Sequence, residues 1–235
     1  MLNNNLVAVG LTAVIALAWL RVNDFFAHKG WISGEISRKI IHIGTGPIFV
    51  VCWLFFTESV YAPYLAAVIP LAITVQFALV GLGVIKDPSA VDAMSRTGDR
   101  REILRGPLFY GLVFIIITIV FWRSSPVGIV ALMVLCGGDG LADVVGKRID
   151  SKNLPWSPQK TLAGSLAMFI GSYNLSILVL WVFVNWGYFA GPIIAYLIPV
   201  GIIALISTAV ESLPIRDIDN ISVPLVSVLL GLLLF

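Results

Sequence analysis

Two aspartates inside an apolar stretch have the spacing of a metal-binding pair. In the run from Cys136 to Arg148 (CGGDGLADVVGKR), Asp139 and Asp143 are four residues apart. On a helix their carboxylates would lie on one face, one turn from each other. An aspartate at the centre of a membrane helix costs about 2.5–3.5 kcal/mol, so a pair needs a compensating ion or partner. Mg²⁺ suits such a pair, because it binds one or two carboxylates and fills its other positions with water and phosphate oxygens.

The residues around the aspartates favour a phosphate ligand. Gly138 and Gly140 flank Asp139 and would let the helix break and its backbone come close to a phosphate. Lys147 continues the aspartate stripe, and Arg148 follows it. The alternative is a tightly packed helix whose aspartates pair with these two cations. A P-loop is excluded, because the glycine spacing is one residue too long and no Ser or Thr follows Lys147.

A second segment has residue types that bind polyphosphates. Lys160 and Thr161 stand at the start of a predicted helix, whose N-terminus attracts anions. An ammonium and a hydroxyl at that position suit a nucleotide. Equally, Lys160 could be an ordinary basic anchor at the membrane surface.

A basic segment and an acidic segment complete the candidates. Arg38, Lys39 and His42 stand at the entrance to an apolar run, where the basic pair could bind phosphate or anchor the helix and His42 could bind substrate or simply pack. The acidic segment could supply a catalytic base or a second metal ligand, or be a solvated loop. Its members are Glu211, Asp217, Asp219 and Asn220.

Composition places these segments in a membrane protein. The 235 residues are 59% hydrophobic and 12% charged, about half the charged fraction of a soluble domain. The mean hydropathy is +0.98. A net charge of +2 with no basic tract excludes nucleic acid as a partner. Cys52 and Cys136 each lie in an apolar run and are expected to be packing residues.

Eight apolar stretches predict an all-α, polytopic integral membrane protein of about eight transmembrane helices, forming a single domain over residues 1–235. The last stretch reaches full length more easily if its first turn includes Asp219 and Asn220. The N-terminal stretch is expected to be a membrane helix, with neither signal nor transit peptide. The stretches are 6–20, 40–56, 62–85, 107–122, 127–145, 162–184, 190–210 and 221–235.

The charges support eight spans. Four alternate loops, at 21–39, 86–106, 146–161 and 211–220, carry 14 of the 15 Lys and Arg residues; Arg123 is the exception. With Asp139 and Asp143 counted beside the third loop, the same face has 12 of 13 acidic residues, and Glu58 is the exception. The positive-inside rule makes this face cytoplasmic and puts both termini on the other side. The polar site is therefore predicted at the cytoplasmic surface.

Together these segments resemble the phytol kinases, within a wider group of CTP-using membrane enzymes that includes dolichol kinases and CDP-diacylglycerol synthases. The resemblance covers about residues 37–225. Lys147 stands where the family usually has Arg, and Asp150 where a second glycine is common. The segments that carry the resemblance are Ser37 to Lys39 with His42, LRGPLFY (104–110), 137–146, 158–165, 211–214 and DNISVPL (219–225).

The resemblance implies transfer of the terminal phosphoryl of CTP or UTP to phytol, a long isoprenoid alcohol in the bilayer, for tocopherol synthesis or phytol salvage. Mg²⁺ on Asp139 and Asp143, expected from their spacing, agrees with this reaction, and our hypothesis is that Glu211 or Asp219 orients or deprotonates the alcohol. The predicted nucleotide contacts are Gly138, Gly140, Lys147, Arg148, Lys160, Thr161, Arg38 and Lys39, and the predicted alcohol contacts are His42 and Asn220.

Three other functions stay open at this point. A kinase for farnesol, geranylgeraniol or dolichol would have the same motifs, and a cytidylyltransferase would release pyrophosphate instead of CDP. An ion-coupled transporter also uses buried carboxylates, but the chain has no repeated halves and its polar motifs lie on one side. The sequence leaves open a homo-oligomer and the identity of the membrane, either a bacterial cell membrane or a thylakoid-type membrane.

Overall fold

The chain folds into a bundle of apolar helices joined by short loops. The computed structural model describes residues 4–95, 97–214 and 218–235, with all side chains in these ranges except those of Asp92 and Ala93. The α-helices are α1 (Asn5–His28), α2 (Gly34–Cys52), α3 (Ala62–Leu82), α4 (Pro88–Met94), α5 (Gly106–Val120), α6 (Pro126–Met133), α7 (Gly140–Arg148), α8 (Leu162–Asn185), α9 (Ile194–Glu211) and α10 (Asp219–Leu234).

The positions of the predicted spans are confirmed, with differences in length. Among the described residues, seven helical stretches are long and apolar enough to cross a membrane, and α10, with 16 residues, is shorter. As predicted, α10 begins at Asp219. The first two helices extend further into the charged segments than predicted. α1 continues to His28, and α2 begins at Gly34 because the Ser33 side chain caps it.

One continuous helix forms the centre of the bundle. It consists of α6, a π-helical segment (Val134–Asp139) and α7. Every residue from 127 to 138 is buried, as expected for a helix that is apolar on all sides. α2, α8 and α10 pack against it. The predicted break in the helix at the glycines is wrong. The chain forms a π-helix there and stays helical.

The loops gather at two ends of the bundle, as the charge pattern predicts. We call one end the charged end. It contains the loops after α1, α3, α7 and α9 and the starts of the helices that follow these loops. Side-chain hydrogen bonds connect these segments to one another or to the neighbouring helix ends. At the other end, Asn5 accepts hydrogen bonds from Thr57, and Glu58 accepts one from Tyr188. Which end faces the cytoplasm stays a prediction.

Arg123 holds the second end together. The residue is 4% exposed. Its guanidinium donates hydrogen bonds to the carbonyl oxygens of Trp53, Phe56 and Thr57 at 2.7–3.0 Å and to the Glu58 carboxylate at 3.2 Å. Burial lowers the pKa of Arg123, but its ordinary value is so high that the group stays charged. The single basic residue outside the charged loops therefore caps the C-terminus of α2 and the turn that follows it.

A close helix contact beside the π-helical segment makes the first testable prediction. A Cβ added at Gly171 of α8 would lie 2.5 Å from the carbonyl oxygen of Gly137, which is backbone and cannot rotate away. We expect Gly171→Ala to lower the free energy of unfolding by about 1–3 kcal/mol. Gly10→Ala is the control, because its Cβ would meet nothing within 4 Å. Thermal unfolding of the purified protein in detergent measures both, and equal melting temperatures would contradict the contact.

Candidate functional site

The two central aspartates face α2 across a narrow crevice. The Asp143 carboxylate forms an ion pair with the Lys39 ammonium at 2.7 Å. The Asp139 carboxylate lies 3.6 Å from Nε2 of His42. The two helices run in opposite directions, so residues three apart on α2 meet residues four apart on α7. Each aspartate side chain is about 30% exposed. The structure therefore brings both predicted metal ligands and two of the predicted basic residues to one place.

His42 contacts Asp139 without a proper hydrogen bond. The 3.6 Å separation is too long for one, and Nε2 is buried with no hydrogen-bond partner among the described residues. The imidazole ring packs on Tyr110 of α5, with 4.6 Å between ring centroids. His42 is thus both a packing residue and an incompletely bonded polar group beside the aspartates.

The two cations at the end of α7 behave differently. Lys147 contacts Asp143 at 3.0 Å and Glu35 at 3.5 Å, as the packed-helix alternative predicts. Arg148 is exposed and donates to the Val144 carbonyl of its own helix, so it does not pair with either aspartate. Lys39, on the neighbouring helix, supplies the second charge instead.

A second charged group forms where a hairpin docks on α9 and α10. Strands β1 (Asn153–Leu154) and β2 (Ser157–Thr161) are antiparallel, and the sequence analysis did not predict them. Lys160 of β2 donates to the carbonyl oxygen of Glu211, to its carboxylate at 2.7 Å and to Asp219 at 3.2 Å. Glu211 is buried, so its charge requires this partner.

The environment of Lys160 keeps it charged. Burial opposes the charge, but the hydrogen bond and charge of Glu211, together with Asp219, outweigh it and raise the pKa of Lys160 above its usual value. The interaction therefore stabilises the folded chain below the ordinary lysine pKa and is lost only as the pH rises through the raised value. Lys160 makes no ion pair with Asp139 but is close enough to it for a longer-range charge interaction, so the two charged groups are neighbours at the charged end.

The start of α8 is already capped. Thr161 accepts a hydrogen bond from the Gly164 amide, and Ser151 accepts one from Ala163. The Leu162 amide donates to the Lys152 carbonyl. The first backbone amides of α8 are thus occupied. A nucleotide contact in this region would have to use the side chains of Lys160 and Thr161, and that contact stays a prediction.

The other predicted site residues lie around the edges of this site. Arg38 donates to the Ser95 carbonyl at 3.4 Å, and Asn220 donates to the Gly106 carbonyl at 3.2 Å, so both hold loops in place. Gly138 packs against Ser172 and Met168, and Gly140 packs against Ile43 and His42. Both glycines therefore allow close helix contacts, and their contact with a nucleotide is untested. Asp217 lies outside the described residues.

The structure adds residues that sequence reasoning missed. The Tyr110 hydroxyl lies 3.1 Å from Sγ of Cys136, and the Tyr110 ring packs against the His42 ring. Ser172 is fully buried opposite Gly138, with no hydrogen bond from its side-chain oxygen to the described residues. Trp156 in the hairpin donates to Ser212 and fixes the hairpin to the end of α9. None of these residues has a spacing that predicts its contact.

The two aspartates could hold a metal ion whose other ligands come from water and substrate. They do not form a complete metal site with protein ligands alone. Within the described residues, no three His, Cys, Asp or Glu side chains lie together in a way that could hold an ion. Two carboxylates one turn apart suit Mg²⁺, whose remaining ligands are commonly water and substrate phosphates. Asp139 and Asp143 are the residues that would hold it.

Fold and site define a multi-pass membrane protein with an acidic and basic site at one end. Proteins with known names match over nearly the whole chain. A probable phytol kinase 2 of Oryza sativa subsp. japonica is 40% identical over 100% of this chain and 77% of its own length. Phytol kinase 1 of Arabidopsis thaliana is 38% identical over 99% and 78%, and a farnesol kinase of the same plant is 37% identical over 97% and 75%.

The chain belongs to the phytol kinase family. This confirms the resemblance predicted from its motifs. No family model matches the chain. No solved structure matches it.

Proposed function

We propose that this protein is a phytol kinase that transfers the terminal phosphoryl group of CTP or UTP to phytol. Family membership supports an alcohol phosphotransferase. The observation that carries the proposal is the meeting of Asp139 and Asp143 with Lys39 and His42 at the charged end. Acidic and basic side chains that lie close together suit a nucleotide bound with magnesium. Phosphoryl transfer requires chiefly the positioning of the substrates and the neutralisation of phosphate charge.

The acidic and basic residues of the site have different proposed roles. Asp139 and Asp143 would hold Mg²⁺, which neutralises the phosphate charge when it is bound. Lys39 and Lys147 pair with the Asp143 carboxylate and would contact phosphate oxygens when a nucleotide is bound. The alcohol oxygen attacks the terminal phosphorus, the bond to the nucleoside diphosphate breaks, and the hydroxyl proton leaves. Glu211 or Asp219 is the proposed acceptor that orients the hydroxyl or takes this proton.

The alcohol and the membrane also belong to the proposal. The relatives named above are called chloroplastic, so we propose a photosynthetic membrane as the location. Because one relative is named a farnesol kinase, farnesol is the second candidate acceptor.

A substrate matrix tests the proposed reaction. Purified protein in detergent is supplied with each nucleoside triphosphate and with phytol, farnesol, geranylgeraniol or dolichol. We expect the terminal phosphate label of CTP or UTP to appear in phytyl phosphate, with release of the nucleoside diphosphate. Release of pyrophosphate would identify a cytidylyltransferase. Phosphorylation of an alcohol in detergent would exclude an ion-coupled transporter, because no ion gradient exists there. Failure to phosphorylate any alcohol would overturn the proposal.

Lys160 provides a test of the nucleotide site. We expect Lys160→Ala to raise the KM for CTP about tenfold or more, because a charge-assisted hydrogen bond contributes about 1.5–3 kcal/mol. The melting temperature should also fall, since Glu211 would be left buried without its cation. Lys152→Ala, an exposed lysine beside the same hairpin, is the control. A lower melting temperature with an unchanged KM would show that Lys160 only positions Glu211.

A further inference from the structure

His42 of α2 contacts both α5 and the central helix. Its imidazole ring packs on the ring of Tyr110 of α5, with 4.6 Å between the ring centroids. It also lies against the central helix at Gly140, where an added Cβ would be 3.3 Å from Cδ2 of the imidazole. Gly140 directly follows Asp139, so the missing side chain lets the imidazole lie next to that carboxylate. Contacts with two different elements therefore hold the ring beside Asp139.

Tyr110 also connects the two helices that carry His42 and Asp139. Its hydroxyl donates to the His42 carbonyl oxygen at 3.4 Å and lies 3.1 Å from Sγ of Cys136. Both hydrogen bonds form together when the Cys136 thiol donates to the tyrosine oxygen. Cys136 belongs to the same π-helical segment as Asp139. One side chain of α5 therefore sets the distance between α2 and the central helix beside the aspartate.

The buried nitrogen of His42 faces the Asp139 carboxylate. Nε2 has no hydrogen-bond partner among the described residues, and 3.6 Å separate it from an Asp139 oxygen. Because an ionised carboxylate only accepts hydrogen bonds, the imidazole must carry its hydrogen on Nε2 to interact favourably there. An approach of about 0.7 Å would complete the hydrogen bond, and such bonds are often long before a ligand binds. Since Nε2 is buried, an alcohol hydroxyl would contact it only if His42 moved.

We propose that His42 orients the Asp139 carboxylate for Mg²⁺ and that Tyr110 holds His42 in place for this task. This inference rests on the proposed function. A hydrogen bond from Nε2 to one carboxylate oxygen leaves the other oxygen available to the metal, and metal-binding carboxylates commonly have such partners. His42 and Tyr110 are therefore positioning residues, since they act on the metal through Asp139.

Magnesium binding without substrates tests this assignment. A ligand that binds only the folded protein raises its melting temperature, so an Mg²⁺ titration in detergent, without nucleotide or alcohol, gives an apparent Kd. The response of Asp139→Asn is subtracted to remove nonspecific salt effects. We expect His42→Leu to raise this Kd about tenfold or more. His42→Gln retains an N–H donor and should raise it less.

A double variant shows whether Tyr110 acts through His42. Tyr110→Leu should raise the Kd for Mg²⁺ nearly as much as His42→Leu, and Tyr110→Phe, which keeps the ring contact, should raise it less. The double variant should have the Kd of His42→Leu alone, whereas independent effects would multiply. Tyr173→Leu is the matched control. Tyr173 is a partly buried tyrosine of α8 that packs on Phe169, and its replacement should leave the Kd unchanged.

The outcomes separate this assignment from the reaction. A Kd for His42→Leu equal to that of the unmodified protein would overturn the role of His42, and effects that multiply would overturn the role of Tyr110. A melting temperature that does not respond to Mg²⁺ in the unmodified protein would overturn both roles. If Mg²⁺ binds as expected but no alcohol is phosphorylated, the proposed function fails while the roles of His42 and Tyr110 at the metal stand.

Discussion

Asp139→Asn and Asp143→Asn should each reduce turnover about 1,000-fold or more. Asparagine keeps nearly the same shape but removes the charge that would hold Mg²⁺. A metal stabilises the transition state by several kcal/mol, and each 1.4 kcal/mol corresponds to about tenfold in rate. The rates are measured with purified variants over a range of Mg²⁺ concentrations.

The control for these variants is Asp150→Asn. Asp150 is an exposed carboxylate just beyond the end of α7. Its replacement should leave the rate unchanged. The two site variants should still fold, because each aspartate is partly exposed, the Lys39–Asp143 ion pair contributes about 1 kcal/mol or less, and His42 makes no proper hydrogen bond to Asp139. Normal magnesium-dependent rates in either site variant would eliminate the metal hypothesis.

Arg123→Met should be the most destabilising single substitution proposed for this chain. It removes a buried cation and leaves the carbonyl oxygens of Trp53 and Phe56 without their donor. Leaving a buried carbonyl oxygen without its donor costs about 1–3 kcal/mol, so the loss of both contacts should cost about 2–6 kcal/mol. For a chain of this length that corresponds to a fall in melting temperature of about 10 °C, measured by thermal unfolding in detergent.

Glu58→Gln tests the reason for that loss. Glu58 pairs with Arg123, but its side chain is 65% exposed. A surface ion pair contributes about 1 kcal/mol or less, so this variant should unfold close to the unmodified protein. If both variants lost the same stability, the ion pair and not the carbonyl contacts would explain the effect. Turnover of folded Arg123→Met protein should be near normal, because Arg123 lies at the opposite end from the aspartates.

The sequence predicted the elements of the fold well because lipid imposes a simple rule. Each span needs a long apolar run, and charges outside the runs reveal which loops share a face. The i,i+4 spacing of Asp139 and Asp143 also predicted their common face correctly. The π-helical segment could not be predicted, because its residues before Asp139 are apolar or glycine and show no change of periodicity.

Contacts between distant segments were the other limit. Lys39 meets Asp143 because α2 lies against α7, and no spacing within either segment specifies that pairing. The docking of Lys160 on Glu211 depends on a hairpin of only a few residues. Arg123 was visible in the sequence as the exception to the charge pattern, but its carbonyl partners in another loop were not.

The contacts of Arg123 also make the two ends of the bundle differ in the free energy needed to separate their helices. Its hydrogen bonds are buried and converge on one short turn, whereas the ion pairs of Lys39, Lys147 and Lys160 are partly open to solvent. Segments with exposed polar contacts separate at lower free energy than segments with buried ones. We therefore expect the helices to separate more readily at the charged end than at the end that contains Arg123.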